Sequence, residues 1–480
     1  MRTIVTTLVV ALGFPVLAAA QDACLTGAST LGDQRAFAAL RTSTQSACPC
    51  ASFTKRSAYQ KCARAAIEGA IGDGDLRIEC FKTALKIEKG AVCGSTKIAC
   101  GRYAPTSKHP LTCKLKAPGR CVDTAKIDST PCTAETHCAD VVDWTASTCI
   151  DPRENATAFV PGVRVVTFTK TSVAKYCTGG TGNCGTQPYG DGCACTTNAA
   201  CQSGVCEQQS RPLDTTIWYP AAPGSSPIDP SYGAVLNAPL DPSGGPYPLL
   251  MFSHGSCGYP EQSIFLTARL ASYGFVVAAP PHPGNTIYDF PYCGIGPSLG
   301  ASVQERPQDV IFALDGVLAE SADVGSPLYG AVDDTRIGMS GHSFGGLTTY
   351  LVLPLEPRFK TAMPLAPAVF GTPMVTIPSL MMIAEVDSYV NNTAVRAAYD
   401  DATSPKYLVE ILHAGHFAFS NGCFPSSDCN PPTTLTQPES HDLVLRYAVP
   451  FLQAYLAGDA GFLPFFIPPA NPGVVLEAAP

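Results

Sequence analysis

Charged residues are scarce in this chain of 480 residues, making up 15% of it, against about 25% in an average soluble domain. Lys and Arg (31) are outnumbered by Asp and Glu (39), for a net charge of −8. Since phosphate neutralisation needs concentrated cations, no nucleic-acid partner is expected. No segment after residue 20 reaches about 18 uninterrupted apolar residues, so no transmembrane segment is expected. The apolar fraction of 46% still supplies a core and excludes a mainly disordered chain.

Cysteine, by contrast, is abundant, with 22 residues in the chain. An even count this high is sustained mainly where thiols are oxidised to disulfides. The amino terminus agrees, because Arg2 precedes a short apolar stretch, Ile4–Leu17, which ends in the small residues Ala18–Ala20. This pattern predicts a signal peptide over residues 1–20 and a secreted protein, extracellular or periplasmic.

Cysteine spacing and charge change together along the mature chain. Residues 21–150 hold 12 cysteines and have 17 Lys or Arg against 12 Asp or Glu. Residues 151–480 have 13 Lys or Arg against 27 Asp or Glu. We therefore predict a small, partly helical domain stapled by disulfides over residues 21–158, because such a domain has too little apolar surface to hold itself together. A basic domain of this kind could also attach the protein to an anionic surface or polymer.

Metal ligation is the alternative interpretation of some of these cysteines. It applies to Cys48 and Cys50 and to the run Cys132–Cys149. The paired C-x₂-C spacing of zinc knuckles is absent, and export favours disulfides. No phosphate-binding loop or cofactor motif stands out either, so no cofactor and no metal are expected.

The second part, residues 159–480, alternates short apolar runs with longer helical ones, which predicts an α/β fold with a sheet flanked by helices. A cysteine-rich insertion at 177–206 interrupts its first pair of strands. The predicted strands are 163–168, 215–218, 247–253, 275–279, 336–339, 380–384 and 407–412. The predicted helices are 262–273, 307–319 and 441–457.

The motif Gly341-His342-Ser343-Phe344-Gly345-Gly346 follows a predicted strand and precedes a helix-compatible run. In a G-x-S-x-G motif the glycines allow a sharp turn that exposes the serine hydroxyl at the start of a helix. A serine hydroxyl needs a base to become a nucleophile, and the base needs an acid to fix its tautomer. Ser343 is therefore the predicted nucleophile, and an acid and then a histidine should follow in the chain.

The acid and the base are predicted just past two later strands. Asp387 follows a buried-type strand, and Glu385 is the alternative acid. His416 follows the flexible Gly415, whereas the alternative base, His413, still continues its strand. Loops at the carboxyl ends of parallel strands carry the sites of such sheets, so Asp387 and His416 are the predicted partners of the serine.

Acyl transfer also needs N–H donors aimed at the developing oxyanion. One predicted donor is the backbone N–H of Phe344, directly after the nucleophile, and the other is that of Ser256, in the loop after the strand 247–253.

Five segments of the second part together carry a family resemblance: Phe252–Ser256, Leu270–Ala278, Arg306–Asp309, Gly341–Gly346 and Gly415–Phe417. The set resembles the platelet-activating factor acetylhydrolase-like branch of the α/β-hydrolases, and is similar to the dienelactone hydrolases and to bacterial polyester hydrolases of the cutinase type. The resemblance spans about residues 160–459. It implies a serine hydrolase acting on carboxylic esters, and it covers neither the insertion nor the N-terminal domain.

Four cysteines lie within the hydrolase core. A bridge between Cys423 and Cys429 would stiffen the histidine loop, and one between Cys257 and Cys293 would join the oxyanion loop to the segment 283–305. Cys257 as a reactive thiol is the alternative. The segment 283–305 is long enough to act as a flap over the acyl site, or it packs over the sheet edge.

The sequence therefore predicts a secreted serine esterase that acts on a short-acyl, lipid or polymeric ester. The same set of residues also serves peptidases and amidases, because the fold alone does not select the bond that is cleaved. A third hypothesis is a non-enzymatic surface-binding protein with an inactive hydrolase scaffold.

Overall fold

A computed structural model describes residues 23–25, 30–103, 112–121, 128–132, 138, 159–293, 296–371, 374–423, 426–429, 435–466 and 473–480. The predicted signal peptide lies outside these residues, and so does most of the predicted boundary between the two parts of the chain.

The N-terminal part is helical first and then forms a small antiparallel sheet. Its α-helices with described bounds are α1 (Thr30–Ala47), α2 (Arg56–Gly72) and α3 (Phe81–Glu88). Its strands, in the order β2-β1-β3, are β1 (Ile98–Tyr103), β2 (Thr112–Lys116) and β3 (Asp128–Cys132).

Disulfides join these short elements. The described pairs are Cys24–Cys80, Cys48–Cys62, Cys50–Cys93, Cys100–Cys121 and Cys113–Cys138. Cys48 and Cys50 thus form disulfides, and the metal interpretation is wrong for them. Cys149 lies outside the described residues.

The second part forms a large sheet wrapped by helices. Its strands are β4 (Val160–Thr171), β8 (Ser210–Ala221), β9 (Val235–Leu236), β10 (Tyr247–Ser253), β11 (Val276–Ala279), β12 (Val332–His342), β13 (Phe359–Leu365), β14 (Ser379–Ala384), β15 (Lys406–Ile411) and β16 (Val474–Ala479). Its α-helices are α4 (Ile264–Ser272), α5 (Gly296–Ala322), α6 (Phe344–Val352), α7 (Asn392–Asp401) and α8 (Gln437–Tyr455).

The strand order is β16-β15-β14-β13-β12-β10-β11-β8-β4-β9, and the central run from β15 to β11 is parallel. Alternate residues of each strand face opposite helical layers. Leu250 and Phe252 pack with α4 and α8, whereas Leu249 and Met251 pack with α5. Because both faces are covered, all seven residues of β10 are buried. The predicted α/β-hydrolase architecture is confirmed.

The insertion between the paired strands β4 and β8 contains the short strands β5 (Lys175–Cys177), β6 (Ala194–Cys195) and β7 (Cys206–Glu207). Three disulfides hold it, and they are Cys177–Cys201, Cys184–Cys193 and Cys195–Cys206.

Several elements differ from the sequence-based expectation. Strands β13 and β16 and helix α7 were not predicted. Helix α5 begins at Gly296 and passes through Pro307, which had been predicted to open it. The segment 283–305 is therefore a loop only as far as α5, which leaves less chain for a flap than expected. None of the described helices is long and apolar enough to cross a membrane.

Candidate active site

The carboxyl edge of the parallel strands collects the predicted site residues. β12 ends at His342, directly before Ser343, and β10 ends at Ser253, directly before the predicted oxyanion loop, residues 254–258. β14 and β15 end shortly before Asp387 and His416. Parallel strands that are neighbours in a sheet end at the same edge, so residues far apart in sequence meet there.

Ser343 lies at a sharp turn between β12 and α6. Its backbone has φ 58° and ψ −116°, a conformation that L-residues rarely adopt. The glycines around it are required by close approach. A Cβ on Gly341 would lie 2.3 Å from the Gly345 carbonyl oxygen, and one on Gly345 would lie 1.8 Å from that of Ser253. The motif is thus a tight strand-to-helix turn that presents the hydroxyl.

Ser343, His416 and Asp387 form one hydrogen-bonded series. Ser343 Oγ lies 2.9 Å from His416 Nε2, and His416 Nδ1 lies 2.8 Å from Asp387 Oδ2. The other carboxylate oxygen of Asp387 accepts hydrogen bonds from the backbone N–H groups of Tyr389 (2.8 Å) and Val390 (3.0 Å). An ionised carboxylate only accepts, so Nδ1 carries the imidazole hydrogen and Nε2 is free to accept from the serine.

The alternative acid and base lie outside this series. Glu385 accepts a hydrogen bond from the backbone N–H of His413 at 2.7 Å, and the His413 ring lies 3.8 Å from the same carboxylate. The side chain of Glu385 is 40% exposed, whereas that of Asp387 is fully buried. The tertiary structure therefore brings together Asp387 and His416 and directs Glu385 and His413 to each other.

The loop after β10 passes directly beside the serine. A Cβ on Gly255 would lie in van der Waals contact with the Cβ of Ser343, at 3.5 Å. The described residues offer no backbone acceptor to the N–H groups of Ser256 and Phe344. Both N–H groups are therefore available to an oxygen bound next to Ser343.

Gln262 and His342 join the loops of the site, and sequence reasoning gave neither a role. Gln262 Oε1 accepts from the backbone N–H of Gly255 at 2.8 Å, and its Nε2 donates to His342 Nδ1 at 3.0 Å. Asp428, also missed, accepts from the backbone N–H of Phe417 at 2.7 Å. Polar residues beside the recognised motifs were the available signal, but their partners lie 7 to 80 positions away.

The four core cysteines form the two disulfides considered above, Cys257–Cys293 and Cys423–Cys429. The first ties the oxyanion loop to the segment before α5, and it removes Cys257 as a reactive thiol. The second closes the loop that contains Asp428.

Three clusters of side chains in the described residues have the ligand types of a metal site. Each contains a disulfide, namely Cys24–Cys80, Cys177–Cys201 or Cys423–Cys429. A disulfide sulfur is not a thiolate, which is the form of cysteine that binds metals. These clusters do not fit a resident metal.

Residues 243–471 match the family model described as PET hydrolase-like. A bis(hydroxyethyl) terephthalate hydrolase from Streptomyces coelicolor is 26% identical over 55% of this chain and 68% of its own length. A platelet-activating factor acetylhydrolase from Cavia porcellus is 24% identical over 48% of this chain and 63% of its own length. The cutinase est2 of Thermobifida alba is 27% identical over 48% of this chain and 67% of its own length. The match thus spans about two thirds of each relative, and the predicted resemblance is confirmed.

Proposed function

We propose that this chain, which is similar to carboxylic ester hydrolases, is a secreted serine esterase of the α/β-hydrolase type with Ser343, His416 and Asp387 as its catalytic triad. The observation that carries the proposal is the series of contacts from Ser343 Oγ to His416 (2.9 Å) and from His416 to Asp387 (2.8 Å). The disulfides support the proposed secretion, because they persist in oxidising compartments.

The proposed reaction has two stages. Ser343 Oγ attacks the ester carbonyl carbon while His416 Nε2 takes its proton, and the backbone N–H groups of Ser256 and Phe344 bind the resulting oxyanion. His416 then returns the proton to the leaving alcohol, which leaves an acyl group on Ser343. A water molecule, deprotonated by His416, attacks this acyl-enzyme and releases the acid. Asp387 keeps the His416 ring oriented and stabilises its charged form.

The surroundings of the serine support an apolar substrate. Ala368 donates its backbone N–H to the Ser343 carbonyl (3.0 Å), and Phe370, two residues further on, is 65% exposed. Tyr389 lies with its ring centroid 5.0 Å from that of His416 and is 54% exposed. An exposed aromatic side chain beside His416, with a second one close by in the chain, favours an ester with an apolar or aromatic part, whether small or polymeric.

Hydrolysis of p-nitrophenyl esters from acetyl to palmitoyl tests this function, with the oxidised wild-type protein compared with Ser343→Ala. We expect activity that the variant lacks, and the preferred chain length will distinguish a short-acyl esterase from a lipase-like enzyme. The matching p-nitroanilides test the amidase alternative. Equal rates in wild type and variant on every ester would refute the proposed triad.

A groove in the N-terminal part supports a second function, attachment to an anionic polymer. It measures about 450 Å³, and its charged lining residues are all cationic: Arg56, Lys86, Lys89, Lys97 and Lys114. The four lysines are exposed, and no carboxylate of the described residues forms an ion pair with them. Such a groove favours a polyanion and should release it as salt increases.

Co-sedimentation of the full chain with carboxymethylcellulose, and with unmodified cellulose as the neutral control, tests this attachment. The triple variant Lys89→Gln, Lys97→Gln and Lys114→Gln should lose most of the salt-sensitive binding. A second triple variant with the same charge, Lys55→Gln, Lys61→Gln and Lys82→Gln, changes exposed lysines outside the groove. An equal loss of salt-sensitive binding in both triple variants would mean that the net charge of the domain, and not the groove, binds the polymer.

A further inference from the structure

Arg306 is a fully buried cation next to the oxyanion loop. Its Nη2 donates to Ser253 Oγ (3.0 Å) and to the His254 carbonyl oxygen, and its Nη1 donates to Asn285 Oδ1. Burial lowers the pKa of Arg306 to about 9, so the group remains charged at neutral pH. Burying a guanidinium costs desolvation free energy unless hydrogen bonds and nearby charges offset it. A role for Arg306 at this position would explain why the fold tolerates that cost.

The nearby carboxylates are paired with other cations. Asp309 binds both Nε (2.8 Å) and Nη2 (2.7 Å) of Arg211, and Glu305 binds Lys170 at 2.7 Å. No carboxylate of the described residues forms an ion pair with Arg306. The cluster of buried charges consists of three cations and two carboxylates: Arg306, Arg211, Lys170, Asp309 and Glu305. It therefore has one more positive than negative charge, and the cation without a carboxylate partner in the described part of the chain is Arg306, which contacts the loop.

Arg306 contacts both halves of the proposed oxyanion hole. On one side Asn285, itself held by Arg306, donates from Nδ2 to Ser256 Oγ at 3.1 Å. On the other side the guanidinium carbon lies 4.7 Å from the centroid of the Phe344 ring, within the range of a cation–π contact. Arg306 thus supports both residues whose N–H groups are the proposed donors, Phe344 directly and Ser256 through Asn285.

We propose that Arg306 is the positioning residue of the oxyanion hole, fixing the loop of Ser256 and the Phe344 side chain while its uncompensated positive charge lies behind the developing oxyanion. This inference rests on the proposed esterase function. Preorganised donors and charges act mainly on the transition state, so the loss should appear in kcat rather than in KM.

The test compares Arg306→Met with wild type after active sites have been counted by stoichiometric labelling with a fluorophosphonate. We expect kcat per labelled site to fall roughly 10- to 100-fold, somewhat less than for a lost oxyanion donor, while KM changes less than about threefold. Affinity for a trifluoromethyl ketone, which forms an oxyanion on the serine, should fall by a similar factor. Affinity for the matching methyl ketone should not change.

Three further variants keep the result interpretable. Arg306→Lys keeps the charge and should recover part of kcat. Asn285→Ala removes the link to Ser256 together with the Arg306 hydrogen bond that supports it, but it keeps the charge and the Phe344 contact, so it should lower kcat more mildly. Lys170→Met removes the same unit of positive charge from the cluster without touching the loop, so it should lower stability and reduce kcat per site much less than Arg306→Met does.

An unchanged kcat per site in Arg306→Met would overturn the inference, as would an equal fall in Lys170→Met. If Arg306→Met does not fold, the same measurements on Arg306→Lys and Asn285→Ala decide, and unchanged kcat in both overturns it. Wild-type activity that is independent of Ser343 would instead refute the proposed function itself.

Discussion

His342 Nε2 donates a hydrogen bond to the backbone carbonyl of His416, with 3.0 Å between the two heavy atoms. A carbonyl only accepts, so Nε2 carries the hydrogen and Nδ1 is left to accept from Gln262. Burial lowers the pKa of His342 well below its usual range, and the neighbouring His416 lowers it further. The residue at the variable position of the serine turn is therefore a neutral link between the proposed nucleophile and the proposed base.

Replacing this link should loosen the histidine loop. In His342→Leu the Gln262 amide and the His416 carbonyl lose their partner, and each buried unsatisfied group costs about 1–3 kcal/mol. We expect a lower free energy of unfolding in urea and a kcat about tenfold lower. His342→Gln, which can still donate, is the matched control. Wild-type kcat in His342→Leu would mean that Asp387 alone positions His416.

Asp387→Asn should remove most of the activity and leave the fold intact. An amide can donate to His416 Nδ1 and so favours the wrong tautomer, and in a serine protease the same change lowers kcat about 10⁴-fold. The control is Glu385→Gln, in the acid that faces His413 and should leave kcat nearly unchanged. If the Glu385 variant lost activity and the Asp387 variant did not, the acid would be misassigned.

The disulfide Cys257–Cys293 should matter for catalysis as well as for stability. It spans 36 positions, and its loss through paired Cys→Ala changes should cost roughly 3–4 kcal/mol in the chain-entropy view. Because it restrains the oxyanion loop, kcat should fall too. Removing Cys195–Cys206 in the insertion, which spans 11 positions, should cost about 3 kcal/mol without lowering kcat. Thermal melting and p-nitrophenyl ester kinetics measure both effects.

Gly345→Ala should prevent correct folding of the serine turn. The added Cβ would lie 1.8 Å from the Ser253 carbonyl oxygen, a backbone atom that has no room to move. Gly300→Ala is the control, because a Cβ there meets nothing within 4 Å, and alanine in a helix should stabilise by up to about 1 kcal/mol. Soluble yield and melting temperature report the difference; a stable, active Gly345→Ala protein would contradict the turn described here.

Stability should fall as the pH drops below about 6.5. Burial lowers the pKa of His254, His282, His342 and His441. The folded state therefore excludes protons that the unfolded state binds, and the stabilisation that is complete above the unfolded pKa is lost below it. Each histidine can contribute up to about 1.4 kcal/mol per pH unit. Urea unfolding between about pH 7 and 5 measures how the free energy of unfolding depends on pH. This dependence should be weaker in His441→Gln. A free energy of unfolding that does not change with pH would contradict these directions.

Local chemistry let the sequence indicate much of the site. A serine between glycines after an apolar run predicts its own turn, because only residues without a Cβ fit there, and Asp387 and His416 follow apolar runs that become neighbouring strands. Cysteine number and spacing predicted the insertion and the two disulfides of the core. These inferences needed only residue types and short spacings.

The tertiary structure decided what depends on neighbours distant in sequence. It separated Asp387 from Glu385, because orientation at a strand end follows from the packing of the whole loop. It also placed Arg306 against Ser253 and Phe344, residues 53 positions before and 38 after it. A buried arginine looks like any other in a sequence, since its burial and the pairing of its neighbouring carboxylates exist only once the sheet and α5 have come together.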